Sequence, residues 1–112
     1  KVSSIILKLN LWGTDSWYVD YLRENILDIN DKYFVKKIGV FGSFSRDEQT
    51  RNSDIDILVE FEMNQETFDN YMGLKFYLED NFHRKVDLVI LDSIKESLKK
   101  SILESVKYAK GA

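Results

Sequence analysis

Cysteine and proline are both missing from this 112-residue chain, and histidine occurs once. Without cysteine there is no disulfide framework and no thiolate metal site. Repeats and low-complexity tracts are also absent. No apolar run is long enough to cross a bilayer, since the longest, Ile55 to Val59, is interrupted by Asp56. The opening stretch, Lys1 to Lys8, is too short in apolar residues for a signal peptide. A cytoplasmic location without membrane attachment is therefore expected. A net positive charge is missing too: the balance is −3. A domain that grips nucleic acid by its phosphates normally carries a net basic face, so no stable nucleic-acid binding is expected. A nucleotide substrate stays open, because a few donors and a metal ion can hold one triphosphate.

What is present is an ordinary globular balance, 44% hydrophobic and 31% charged, in a length that fits one domain with one core. Residues 1–16 read as a lead-in, with Ile5, Ile6, Leu9 and Trp12 suited to a short amphipathic helix ending at Gly13-Thr14. Ser16 can cap a helix to about Lys32, in which Tyr18, Leu22, Ile26, Ile29 and Tyr33 share one face. Lys37 to Phe41 reads as a first strand, followed by a short helix from Ser43 to about Glu48 and a polar loop to Ser53. Asp54 to Phe61 alternates as a second strand. A helix over 65–82 has a broad apolar face formed by Phe68, Tyr71, Met72, Leu74, Phe76, Leu78 and Phe82. Lys85 to Ile90 is a third strand. A last helix starts near Ser93 with capping-box spacing to Glu96 and an apolar stripe of Ile94, Leu98, Ile102 and Val106. The expected fold class is α+β, a small three-stranded mixed sheet flanked by helices. The helical crossover between the second and third strands favours a parallel pair. Their N-terminal ends then share one edge, and the C-terminal end of an antiparallel first strand reaches it too.

That edge collects the chemistry. Asp54 and Asp56 are two apart on a strand, so both project from one face while Ile55 and Ile57 project from the other. Two carboxylates this close repel, which raises the pKa of one or calls for a cation. A hard divalent ion with oxygen ligands answers this, and Mg²⁺ suits best because it accepts one or two carboxylates together with substrate phosphates. Asp87 interrupts an apolar strand, where a charge is costly unless paired or metal-bound. A third carboxylate aimed at the first two would complete a two-metal site. The plainer alternatives are the solvent face of an edge strand for Asp54 and Asp56, and a salt bridge to Lys85 or Arg84 for Asp87. Gly42 lets backbone approach a ligand closely, and Ser43 opens a helix whose N–H groups favour phosphate. Arg46 and Arg51 are cations within reach of a triphosphate. Here the plainer alternative is a simple strand-to-helix turn with a Ser cap, and an ion pair of Arg46 with Asp47 or Glu48.

Together, Gly39-Val40-Phe41-Gly42-Ser43-Phe44-Ser45-Arg46, then Ser53-Asp54-Ile55-Asp56-Ile57-Leu58-Val59, then Val86-Asp87-Leu88 resemble the nucleotidyltransferase superfamily typified by DNA polymerase beta. The length and the run Ser53 to Phe61 are similar to its minimal nucleotidyltransferases, the MNT group, over Tyr18 to Tyr108. On that resemblance, residues 17–110 form the nucleotidyltransferase domain. Asp54, Asp56 and Asp87 bind Mg²⁺, two ions in number, and carry catalysis, with Asp87 helping to activate the acceptor hydroxyl. Gly42 and Ser43, with Arg46 and Ser53, hold the nucleotide. Many MNT proteins are antitoxins paired with a HEPN-domain toxin, transferring AMP from ATP to a toxin tyrosine. Ser45 and Asp47 stand where the family often has Ala and Gly.

Other residues read more plainly. His83 suits a helix end or solvent, and the aromatics of 68–82 suit the core. Lys95, Lys99, Lys100 and Lys107 suit a solvated face or a toxin surface. Trp12 and Trp17 suit cover for the lead-in or a partner contact, including homo-oligomerisation. Two alternatives stand beside AMP transfer to a toxin: a non-catalytic antitoxin that acts by binding, and nucleotidyl transfer to a small molecule. Relatives that do the latter usually carry an extra acceptor domain, for which this length leaves no room.

Overall fold

The computed structural model describes residues 15–42 and 54–110. The helical lead-in expected before residue 15 and the short helix expected from Ser43 lie outside the described residues. Two helices, α1 (Asp15–Glu24) and α2 (Ile26–Tyr33), stand where the periodicity predicts one. The break is at Asn25, whose side-chain amide donates to the Tyr21 carbonyl at 2.8 Å. Asparagine competes for local backbone partners in this way and interrupts helices. The apolar face survives the break: Tyr18, Leu22 and Ile29 are buried, with Ile26 and Tyr33 packed against them. Phe34 then adopts the left-handed conformation (φ 57°), and its N–H donates to the Asn30 carbonyl. This turns the chain into β1 (Val35–Phe41) two residues earlier than the sequence suggests.

β2 (Ile55–Phe61) leads through a turn to α3 (Phe68–Phe82), capped by Thr67, whose Oγ1 accepts the Asn70 N–H at 3.1 Å. His83 ends α3 in the left-handed conformation and is exposed, as a residue at a helix end should be. β3 (Val86–Ile90) follows, then a 3₁₀ turn (Leu91–Ser93), α4 (Glu96–Ser105) and β4 (Lys107–Lys110). The Ser93–Glu96 capping box does not form. Ser93 Oγ donates instead to the Ile90 carbonyl at 2.8 Å, and α4 starts without a side-chain cap.

The sheet is mixed and has four strands, not three, in the order β3-β2-β1-β4. β4 is the correction. Val106 continues the helical stripe in the sequence, but α4 stops at Ser105 and Lys107–Lys110 pairs antiparallel with the open side of β1. Edge pairing satisfies backbone groups that a further helical turn would have left at β1. β1 and β2 are antiparallel, and β2 and β3 parallel, as the helical crossover requires.

One face of the sheet, carrying Val35, Ile38, Val40, Ile55, Ile57, Val59, Phe61, Val86 and Leu88, packs against α1, α2 and α3 through Tyr18, Val19, Leu22, Ile29, Leu74, Leu78 and Phe82. Trp17 stacks on Tyr21 and meets Tyr18 and Phe82 edge-on, so it belongs to this packing. The breadth of apolar residues on α3 overstates its contact. Phe68 and Phe76 are 78% and 55% exposed, because a helix laid on one sheet can bury only one side. α4 has no fully buried residue, and Leu98 of its expected stripe is exposed. No helix among the described residues is long and apolar enough to cross a membrane.

Leu78→Ala, at full burial in the centre of the core, should cost about 2–5 kcal/mol. The readout is a lower urea midpoint with an unchanged slope. The Tyr77 hydroxyl ionises less readily than a free tyrosine, first because of burial, then because of its hydrogen bond to Tyr21 and the nearby Asp28 carboxylate. The unfolded chain therefore releases this proton more easily above the ordinary value of 10.0. Stability should hold constant below that pH and fall as pH rises beyond it. Tyr77→Phe should flatten the fall, read by urea unfolding across the alkaline range.

Candidate active site

The chemistry gathers where β1 ends and β2 and β3 begin. Ile55, Ile57, Val86 and Leu88 are all buried in the core cluster. The residues between them, Asp56 and Asp87, therefore project from the opposite face of the sheet. The parallel register pairs Asp56 directly with Asp87. Neighbouring strands lie about 4.8 Å apart, so the two carboxylates stand side by side. Asp54 is two residues before Asp56, just outside β2, and is exposed. The Ile55 N–H donates to the Lys85 carbonyl at 3.0 Å and ties the two strands together at their starts. Asp87 is exposed and, among the described residues, makes no ion pair with Lys85 or Arg84. Arg84 Nε donates instead to the buried Tyr18 hydroxyl at 3.1 Å.

β1 delivers the third part. Its last residue, Phe41, is paired with Asp56, and Gly42 follows with φ +74°. A Cβ on Gly42 would overlap Asp56 Oδ2. Glycine is needed here twice over: for the left-handed backbone, and for the space that the Asp56 carboxylate fills. Of the sequence-predicted site residues, the structure thus brings together Gly42, Asp56 and Asp87. Ser43, Arg46 and Ser53 lie outside the described residues.

The donor chemistry suits a hard divalent cation: carboxylate oxygens on one face, with no soft ligand beside them. Among the described residues no group of three acidic or imidazole side chains is placed to hold a metal ion unaided. Mg²⁺ commonly completes its shell with water and substrate phosphates around one or two carboxylates, so Asp56 and Asp87 fit that role as they stand.

A mixed sheet with acidic residues at the start of two parallel strands and a glycine turn beside them is the arrangement expected of a nucleotidyl-transfer site. The family model of the nucleotidyltransferase domain matches residues 22–109. The chain belongs to the nucleotidyltransferase family. A Methanocaldococcus jannaschii protein described as a candidate protein adenylyltransferase is 47% identical over 91 residues, spanning 80% of this chain and 91% of that one. A solved candidate minimal nucleotidyltransferase superposes with a TM-score of 0.70 at 29% identity, over 84% of this chain and 95% of its own. A chain of a crystallised toxin–antitoxin with AMP-PNP superposes with a TM-score of 0.65 at 28% identity, over 80% of this chain and 73% of its own. The enzyme class read from the three sequence motifs, a nucleotidyltransferase of the minimal group, is therefore the class to which the chain belongs.

The sequence had no marker for three residues that hold the site in place. Lys85 contributes only its carbonyl, while Tyr18 and Arg84 contribute a bond between elements far apart in the chain. Gly42→Ala should keep the fold and lower nucleotidyl transfer by roughly 10²-fold, the scale of displacing a reacting group by about 1 Å. Pyrophosphate release from ATP and Mg²⁺ with acceptor present measures it, and parent-like rates would contradict the seat assigned to Asp56.

Proposed function

We propose that this chain transfers AMP from ATP to a hydroxyl of a partner protein, a tyrosine of a HEPN-domain toxin, and so acts as the antitoxin of a toxin–antitoxin pair. The observation that carries the reading is the pairing of Asp56 with Asp87 on the face away from the core, with Gly42 against Asp56. The partner rests on the resemblance to MNT antitoxins and on the likeness to the chain crystallised as a toxin–antitoxin with AMP-PNP.

In this reading Asp54, Asp56 and Asp87 would hold two Mg²⁺ ions, and Gly42, Ser43, Arg46 and Ser53 would receive the triphosphate. Bound Mg²⁺ would offset charge on the phosphates and on the departing pyrophosphate. The chain's own residues supply the rest. Gly42 keeps the turn low enough for the nucleotide to lie against the carboxylates. The rigid β2–β3 pair fixes the direction of approach, so that the acceptor oxygen meets the α-phosphorus in line with the leaving group. Asp87 takes the proton from the acceptor hydroxyl in this reading, a role supported by its exposure to solvent. Positioned proton removal contributes roughly 10²–10⁴-fold in rate. Positioning and electrostatics supply most of the remainder.

The decisive experiment incubates the protein with ATP, Mg²⁺ and the product of the neighbouring gene, followed by intact mass. The partner should gain mass in AMP steps. Asp56→Ala should slow that gain by about 10²–10³-fold, equivalent to ~3–4 kcal/mol of lost charge stabilisation. A partner silenced without any gain in mass would replace transfer with neutralisation by binding.

A further inference from the structure

β3 is an edge strand, hydrogen-bonded to β2 on one side only. Successive residues of a strand turn their backbone groups to opposite sides. Lys85 turns its carbonyl toward β2, where it accepts the Ile55 N–H. Val86 and Leu88 therefore turn theirs to the open side, where an edge strand usually meets water or another chain. Here α3 covers them. The Val86 N–H donates to Glu79 Oε2 at 2.9 Å, and the Tyr71 hydroxyl donates to the Leu88 carbonyl at 2.7 Å. These contacts fall on the residues immediately before and after Asp87. They come from one helix two turns apart, so they hold the strand at two points with the carboxylate between.

We propose that Glu79 and Tyr71 are positioning residues for the transfer site: by clamping the outer edge of β3 on both sides of Asp87, they fix the height at which that carboxylate stands beside Asp56. The inference rests on the reading of Asp87 as a metal-side carboxylate. Neither residue touches the reacting atoms. A strand held only along its β2 side can tilt about that ladder, and tilt moves the Asp87 side chain relative to Asp56. Glu79 is suited to the task because a carboxylate accepting a backbone N–H makes a charge-assisted bond, stronger than a neutral one. The acceptor oxygen is what matters at Val86, so glutamine, which keeps one, should substitute where alanine does not.

The test uses the full chain with AMP-PNP bound and Mn²⁺ as a spectroscopic stand-in for Mg²⁺, its free fraction read by electron paramagnetic resonance. Glu79→Ala should weaken Mn²⁺ binding roughly 10-fold, the lower end for loss of a group that orients a metal ligand. Glu79→Gln should stay close to the parent, and Tyr71→Phe should shift in the same direction as the alanine variant. AMP-PNP affinity without metal should not change. Hydrogen exchange at the Val86 amide should quicken in Glu79→Ala and not in Glu79→Gln, which reports the clamp independently of metal. Asp87→Asn serves as the reference. If it weakens Mn²⁺ binding while Glu79→Ala and Tyr71→Phe do not, the clamp is only edge protection and the proposal is overturned. If glutamine behaves like alanine, the acceptor role is wrong. If Asp87→Asn itself leaves Mn²⁺ binding unchanged, the assignment of Asp87 to the site fails first, and the clamp with it.

Discussion

The register between β2 and β3 is the constraint from which the rest of the molecule follows. It sets Asp56 beside Asp87, two acidic residues from strands that are distant in the sequence. They stay together because Ile55, Ile57, Val86 and Leu88 are locked into the core on the reverse face. A slip of one residue in either strand would turn a carboxylate into the core and an isoleucine, valine or leucine out to water. Each such apolar side chain contributes about 1.5–3 kcal/mol by burial. Hydrophobic packing on one face therefore fixes which two acidic residues stand together on the other.

The remaining elements can be understood as supports for that pair. β1 brings a glycine turn against Asp56, where any side chain would collide with the carboxylate. α3 spans the open side of β3, and α1 contributes Tyr18, which Arg84 meets just before β3 begins. Arg23 of α1 likewise donates to the Tyr108 carbonyl of β4 at 3.1 Å, so both edge strands of the sheet are tied to a helix. Both edges thereby lose part of the backbone surface that unpaired strands present to other chains. Stability and site geometry draw on the same contacts.

Much of this arrangement is legible in the sequence. The alternation around Asp54 and Asp56 gave the face, because a strand has a period of two. The helix between β2 and β3 gave the parallel direction, because a parallel pair needs a long crossover. Asp87 was conspicuous as a charge in an apolar strand. Where the reading failed, a distant partner had outweighed a local pattern. The spacing of Ile94, Leu98, Ile102 and Val106 suggests one helix, yet α4 covers only Glu96–Ser105 and the open side of β1 captured Lys107–Lys110 as β4. Ser93 and Glu96 have the spacing of a capping box, yet the Ser93 hydroxyl found the Ile90 carbonyl. Phe68 and Phe76 broaden the apolar character of α3, yet Phe76 lies two residues from both Leu74 and Leu78, on the side of the helix turned away from the sheet.

The sequence by itself determined the strand periods, the turn at Gly42 and the kind of chemistry that clustered aspartates support, since these depend on residues within a few positions of one another. Tertiary structure alone decided that Asp56 and Asp87 meet, that the sheet gains a fourth strand, and that Tyr71 and Glu79 flank Asp87 from outside. Those outcomes turn on which strand edge remains open and which side chain reaches it. Spacing along the chain carries no record of either.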